Sequence, residues 1–350
     1  MKKLLLTGGT GFIGSHTCLS LLEQKYEVLI LDSCINSSAK SLNGISKILG
    51  SKNPINKSNL EFIRGDISDE SLLKDIFIYA SKSDKPIEGV IHFAGLKSLS
   101  ESVNNPIKYW ESNVLGTINL LKVMDSFNCR KIIFSSSASI YQSNNGLINE
   151  DSFLKPITPY GSTKATIEIF LRDLFDFQKG NWNIINLRYF NPIGAHPSGI
   201  MGEEKTKNTN NIFPLIIDAA FSSEKTLQIF GDDWETFDGT CIRDFIHVMD
   251  VAEAHIKAYQ FLNNDRSMLL NLNIGTGKGT SILELVKAFE RVNNVKINYV
   301  FNKRRVGDNP FLVADNSLAK RILNWEPKNT IEDMCRDGWK WKIINPKGYV

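Results

Sequence analysis

Three side chains offer chemistry. Ser137 closes the apolar run that begins at Lys131, and Tyr160 and Lys164 stand four apart in P-Y-G-S-T-K at 159–164. On a helix, residues i and i+4 share one face. An ammonium beside a phenol stabilises the phenolate and draws its pKa toward the range of a general base. A serine hydroxyl at a neighbouring strand end would hydrogen-bond the same substrate oxygen. The Tyr–Lys spacing alone is common on solvated helices. It gains meaning beside a glycine loop and a serine at a strand's C-terminal edge, where ligands bind in open parallel sheets.

That loop is T-G-G-T-G-F-I-G at 7–14, with Gly8, Gly11 and Gly14 three apart after a short apolar run. The spacing is G-x-x-G-x-x-G, not G-x-G-x-x-G. A strand before it and a helix over 16–22 would leave bare backbone N–H groups for a pyrophosphate. A second strand follows, ending at Asp32, about 20 residues on, as ribose recognition requires. An acid there binds ribose hydroxyls and repels a 2′-phosphate, and no Arg or Lys immediately follows, so NAD is favoured over NADP.

These residues need a scaffold. Apolar runs at 4–6, 28–31, 60–63, 90–93, 131–134 and 184–187 read as strands, and 72–79, 109–124 and 165–177 as helices. Such alternation predicts a parallel sheet covered on both faces. The rhythm breaks after Asn191, and the polar stretch 196–211 reads as a long ligand-facing loop. The chain has 350 residues, 42% hydrophobic, so two closely joined domains are expected, 1–190 and 191–350, with a return crossing to the first near 240–262. The last predicted helix carries Ile167, Ile169, Phe170, Leu171, Leu174, Phe175 and Phe177, apolar over more than one face. That predicts either a deep core helix or one packed on a second subunit, and a homodimer is the expectation.

Net charge is +3, with 41 basic and 38 acidic residues interspersed, which argues against a nucleic-acid partner and suits small anionic ligands. Five cysteines, at 18, 34, 129, 241 and 335, form no C-x-x-C, so neither disulfides nor structural zinc are expected and a reducing compartment is. His92, His196 and His247 lack metal-ligand spacing and read as structural. The apolar start of the chain is cut by Thr7-Gly8-Gly9, and no run is long enough for a bilayer, so no membrane association and a cytoplasmic location are expected.

The glycine loop, the Ser137/Tyr160/Lys164 set and Asn113 in S-N-V-L-G-T at 112–117 resemble the extended short-chain dehydrogenase/reductase family. More narrowly, I-H-F-A-G-L-K at 91–97, R-Y-F-N-P-I-G-A-H-P-S-G at 188–199, D-G-T-C-I-R-D-F-I-H-V-M-D at 238–250 and R-R-V-G-D at 304–308 resemble the UDP-glucose 4-epimerase family, a likeness that runs to Trp341. The resemblance implies an α/β fold, a Rossmann-type doubly wound parallel sheet with a smaller α/β substrate-binding domain. It also implies NAD-dependent exchange of UDP-glucose and UDP-galactose. Tyr160 would take the proton of the sugar 4-hydroxyl, Lys164 would tune Tyr160 and hold the nicotinamide ribose, and Ser137 would position the 4-oxygen. A 4-keto sugar would turn over in the pocket, and NAD, ending unchanged, would stay bound.

For the cofactor, the resemblance implies Gly8, Gly11, Phe12, Ile13, Gly14, Asp32, Asn36, Asp66, Ile67, Phe93, Ala94, Lys97, Asn113, Tyr160, Lys164 and Tyr189. For the UDP-hexose it implies Ser137, Asn191, Asn211, Phe230, Arg243, Arg305, Asp308 and Leu312. Two guanidiniums suit a diphosphate.

Gln142 and Val306 depart from the family pattern, which has glycine and glutamate there. Leu312 matches the family's gate beside the sugar 2-position and is intermediate in bulk. It leaves UDP-GlcNAc/UDP-GalNAc exchange, alone or as dual specificity, as the alternative activity. A 4,6-dehydratase would need an acid pair beside the serine, where this chain has Ser137-Ala138-Ser139. No carboxylate-binding site for a decarboxylase is evident. A non-catalytic NAD-sensing module would have no reason to keep the Ser–Tyr–Lys set.

Overall fold

A computed structural model describes residues 2–52, 59–83, 85–142, 146–178, 181–204, 211–222, 224–263, 267–305 and 309–349. Val306 and Asp308 lie outside the described residues. Strand β1 (Lys3–Thr7) shows why an unbroken apolar run forms a central strand. Leu4 and Leu6 enter one core cluster and Leu5 the other, because alternate side chains face opposite sides of a sheet covered on both.

The first part continues through α1 (Phe12–Glu23), β2 (Glu27–Asp32), α2 (Ser41–Lys52), β3 (Leu60–Arg64), α3 (Glu70–Lys82), β4 (Ile87–His92), α4 (Leu99–Asn104) and α5 (Pro106–Tyr109). A π-helical turn at Trp110–Leu115 leads into α6 (Gly116–Ser126), then β5 (Lys131–Ser137), α7 (Pro159–Phe177) and β6 (Asn183–Tyr189). There follow β7 (Asn191–Ile193), α8 (Ile212–Phe221), β8 (Leu227–Phe230), β9 (Ile242–Arg243), β10 (Phe245–His247), α9 (Val248–Leu262) and β11 (Met268–Ile274). The chain ends with β12 (Thr280–Ser281), α10 (Ile282–Asn293), β13 (Tyr299–Asn302), β14 (Phe311–Leu312), α11 (Ser317–Leu323) and α12 (Ile331–Ile344).

The main sheet has seven parallel strands in the order β11-β6-β5-β4-β1-β2-β3, the doubly wound dinucleotide order with one strand added. Its order reverses between β1 and β4, so the crevice at their C-terminal ends is the ligand position. Helices α1 and α9 cover one face and α3, α6 and α7 the other. The return to this sheet comprises α9 and β11 and so extends past 262. A separate apolar cluster joins α8, α10 and α12 beside three small sheets, β10-β7, β12-β9-β14 and β13-β8.

Local chemistry sets the ends of the functional elements. Helix α1 begins at Phe12, earlier than 16, with Gly11 as its N-cap and no side-chain cap. Helix α7 begins at Pro159, capped by the Thr158 hydroxyl on the Gly161 N–H, so Tyr160 and Lys164 do share a helix. The single helix expected over 109–124 is instead interrupted by the π turn. There the Asn113 side chain is drawn inward onto Leu96, with Oδ1 accepting from its N–H at 2.8 Å and Nδ2 donating to its carbonyl at 3.1 Å.

Candidate active site

One cavity of about 510 Å³ runs along the C-terminal ends of β1, β2 and β4 to the start of α7. Gly8 lies at φ +73°, and a Cβ there would sit 2.6 Å from the Ala94 nitrogen. A Cβ on Gly14 would collide with the Gly8 carbonyl oxygen. The two glycines are thus required by close backbone packing. The resulting loop presents the uncapped first turn of α1, at Phe12, Ile13 and Gly14, to the cavity as an anion site. Asp32, buried at the end of β2, accepts from Thr10 N–H (2.9 Å), Cys34 N–H (2.8 Å) and the Ser37 hydroxyl (3.1 Å), which fixes its carboxylate at the rim. A cradle with no room for a Cβ, donor N–H groups at a helix start and a fixed acid beyond them fit a dinucleotide lacking a 2′-phosphate.

The same cavity is lined by Asn36, Asp66, Ile67, Phe93, Ala94, Lys97, Tyr160, Lys164 and Tyr189. Asn113 is not on the wall. It is buried behind it, gripping Leu96, which does line the cavity, and donating to the Thr163 hydroxyl between Tyr160 and Lys164. Ser135 and Ser112 line the cavity without having been singled out in the sequence. Ser135 carried a readable signal, since it precedes Ser137 by two on β5 and so shares its side of the strand.

At the far end, Lys164 Nζ donates to the Ser135 carbonyl at 2.7 Å and lies 4.7 Å from the Phe134 ring centroid and 5.9 Å from that of Tyr160. Burial draws the Lys164 ammonium down to about 7, opposed by the charge of Glu168. The Tyr160 phenol is pushed up by burial, against a hydrogen bond from Ser137. The Ser137 hydroxyl in turn accepts from the Ser139 N–H at 3.2 Å. The Ser137 hydrogen bond is what opposes the rise of the Tyr160 phenol, while Lys164 Nζ is directed at the Ser135 carbonyl.

The residues expected on the sugar-nucleotide side fall into smaller groups. The Arg305 guanidinium lies 3.8 Å from the Phe230 ring centroid, a cation–π contact. Arg243 and Leu312 are register partners on β9 and β14, and Leu312 packs into the cluster containing Ala138, next to Ser137. Arg243 Nη1 donates to the Ile242 carbonyl at 2.9 Å. Asn191 donates its backbone N–H to the Asp244 carbonyl, and its buried Oδ1 has no partner among the described residues. Asn211 is the exposed N-cap of α8 with no side-chain cap.

The strand order, the glycine loop opening α1, the acid ending β2 and the Tyr–Lys pair on α7 beside a strand-end serine define a short-chain dehydrogenase/reductase. The profile of the family described as GDP-mannose 4,6 dehydratase matches residues 5–338. UDP-glucose 4-epimerase 2 of Arabidopsis thaliana is 44% identical over 99% of this chain and 97% of its own length. The UDP-glucose 4-epimerase of Bacillus subtilis is 43% identical over 99% and 98%. A crystal structure of UDP-glucose 4-epimerase from Bifidobacterium longum, in complex with NAD+ and UDP, superposes with a TM-score of 0.90 at 39% identity, covering 99% of this chain and 100% of that one. That from Stenotrophomonas maltophila, with bound NAD and formylated UDP-arabinopyranose, gives 0.92 at 39% identity, covering 99% of each chain. The chain belongs to the UDP-glucose 4-epimerase family. The 4,6-dehydratase profile marks the wider family, and the acid pair that elimination would need is absent from Ser137-Ala138-Ser139.

Proposed function

We propose that this protein interconverts UDP-glucose and UDP-galactose at the Ser137–Tyr160–Lys164 site, with NAD held along the Gly8–Gly14 loop. The observation that carries this reading is that Tyr160, Lys164 and Tyr189 line the same cavity as the glycine loop and Asp32. When bound, NAD supplies the acceptor and donor of the C4 hydride. Tyr160 takes the 4-hydroxyl proton and, after the 4-keto sugar has turned over, returns it to the 4-oxygen. Ser137 donates to the Tyr160 oxygen, stabilising its phenolate, and positions the sugar 4-oxygen. Lys164, turning from the Ser135 carbonyl toward the nicotinamide ribose, places its ammonium beside that phenolate. Phe12, Ile13 and Gly14 N–H groups hold the pyrophosphate and Asp32 the adenosine ribose. Asn36, Asp66, Ile67, Phe93, Ala94 and Lys97 complete the cofactor wall, and Asn113 acts from behind it.

On the substrate side we assign Phe230, Arg243 and Arg305 to the uridine diphosphate and Asn191 to a hexose hydroxyl donor. The buried unpartnered Asn191 oxygen supports that, since such a group costs about 1–3 kcal/mol unless a donor meets it. Asn211 and Asp308 complete the set, with Leu312 bounding the sugar. Residues 1–190, joined by α9 and β11, form the cofactor part and the remainder of 191–350 the sugar-nucleotide part.

A homodimer is assigned through α7 and its neighbouring helices. Ile169 and Phe177 on α7 are 47% and 83% exposed, and Ile107 on α5 is 74% exposed. No helix among the described residues is long and apolar enough to cross a membrane. Five free cysteines support a reducing, cytoplasmic setting.

The test is incubation of purified protein with UDP-galactose and no added NAD. Formation of UDP-glucose without net NADH supports the reading. Turnover of UDP-GalNAc in place of UDP-galactose would transfer it to the N-acetylated pair.

A further inference from the structure

Behind the reacting groups lies a buried carboxylate that the mechanism above does not use. Glu168 stands one turn beyond Lys164 on α7, on the same helix face, and is 6% exposed. Its Oε1 accepts from the Ser136 hydroxyl at 2.5 Å and from Arg188 Nε at 3.0 Å. Its Oε2 accepts from Arg188 Nη2 at 2.6 Å. Arg188, equally buried, spends Nη1 on the Tyr141 hydroxyl (2.6 Å) and the Glu150 carbonyl (2.9 Å). One carboxylate therefore ties α7 to β5 and β6. Each bond lands next to a residue of the site: Ser136 precedes Ser137, Arg188 precedes Tyr189, and Glu168 follows Lys164 by one turn.

A buried ion pair adds little net stability once the desolvation of both charges is counted. What this one supplies is registry among three elements whose side chains must converge on one oxygen. We propose that Glu168 is a positioning residue for the epimerisation, holding Ser137, Tyr160 and Lys164 in productive register through Ser136 and Arg188. The proposal rests on the function assigned above.

Charge gives it a second readout. The titratable and charged groups facing Glu168 are Lys164 on its own helix, Arg188 on β6 and Tyr141 from the segment after β5, with Glu150 acting on the far side of the Arg188 guanidinium. Burial raises the Tyr141 phenol and Arg188 stays cationic, so neither changes charge near neutrality. Lys164, drawn down to about 7 by burial and held up by Glu168, does. Removing the Glu168 charge lowers Lys164 further, so the alkaline limb of kcat, where the ammonium is lost, moves to lower pH.

The experiment measures kcat and KM for UDP-galactose across the neutral pH range, together with retained NAD, in wild type, Glu168→Gln, Glu168→Asp and Ser136→Ala. Misplacement of reacting groups by up to about 1 Å costs roughly 10- to 100-fold. Glu168→Gln is expected to lose that much kcat with little change in KM, and to shift the alkaline limb down. Glu168→Asp keeps the charge and is expected to restore the limb but only part of kcat. Wild-type kcat and an unmoved limb in folded Glu168→Gln overturn the proposal. Should Glu168→Gln fail to fold, Ser136→Ala decides, since it cuts the β5 link without stranding a charge. A several-fold lower kcat supports the proposal and a wild-type kcat overturns it. Failure of the function reading is distinct: the wild-type enzyme itself would not convert UDP-galactose.

Discussion

Three neutral imidazoles are built into the wall behind the cofactor cavity, and lowering the pH loads them. His16 on α1 is fully buried with Nδ1 2.7 Å from the Phe12 carbonyl, and burial draws it down to about 3. His92 ends β4 between the hydroxyls of Thr7 (2.6 Å) and Thr117 (2.9 Å), and burial draws it to about 3. His255 on α9 bridges the Tyr189 hydroxyl (2.5 Å) and the Val251 carbonyl (2.8 Å), and burial draws it to about 4. The unfolded value is 6.5 for each. Folded values below the unfolded one mean stability that is complete above pH 6.5 and lost as pH falls. Three protons give a limiting slope of about 4 kcal/mol per pH unit. Buried Asp244, raised from 3.8 to about 6, takes its proton earlier in the folded state and offsets about one of them, and Glu150, Asp250 and Glu204, also raised by burial, offset more at lower pH. The net slope is at most about 2–3 kcal/mol per unit just below pH 6 and flattens as those carboxyls titrate, against a typical total stability of about 5–15 kcal/mol. Urea midpoints followed by tryptophan fluorescence at about pH 7, 6 and 5 measure it directly. We expect the midpoint to fall steeply below pH 6, with NAD released in the same transition because Tyr189 and α1 are part of both. A midpoint constant down to pH 5 would refute the assignment of these histidines as buried and neutral.

Two further outcomes follow from the site and the surface. Tyr160→Phe is expected to lower kcat by about 10²–10⁴ while NAD stays bound, since general acid–base catalysis is lost and the glycine cradle is untouched. A protein that only sensed NAD would be indifferent, and wild-type turnover in the variant would remove Tyr160 from the reaction. For the exposed helix face, sedimentation of wild type against Phe177→Asp combined with Ile107→Asp is expected to show a dimer becoming a monomer. A wild-type monomer, or a dimer that survives both charges, refutes that interface.

Much of the cofactor half was legible in the sequence for a physical reason. A strand buried on both faces leaves an unbroken apolar run, as at Leu4–Leu6 and Val28–Leu31, and a close backbone approach leaves glycine, as at Gly8 and Gly14. The Tyr160–Lys164 spacing was readable but the helix start was not: the apolar pattern begins at 165, whereas the Thr158 cap and Pro159 start the helix six residues earlier. The π turn was not, since nothing local in residues 110–115 distinguishes it from an α-helix. It arises with the bonds between Asn113 and Leu96, contacts distant in sequence. Glu168 was hidden for a similar reason: on a helix it reads as a solvated charge, and only the fold brings Arg188 to it from β6. The sugar-nucleotide half was the least legible. Strands as short as β9, β12 and β14 carry no periodicity to read.

The most direct measurement is chromatographic analysis of nucleotide sugars after purified protein is incubated with UDP-galactose alone. The account predicts an equilibrium mixture of UDP-glucose and UDP-galactose with no added NAD and no accumulation of NADH. No conversion, even after NAD is supplied to protein shown to bind it, would contradict it.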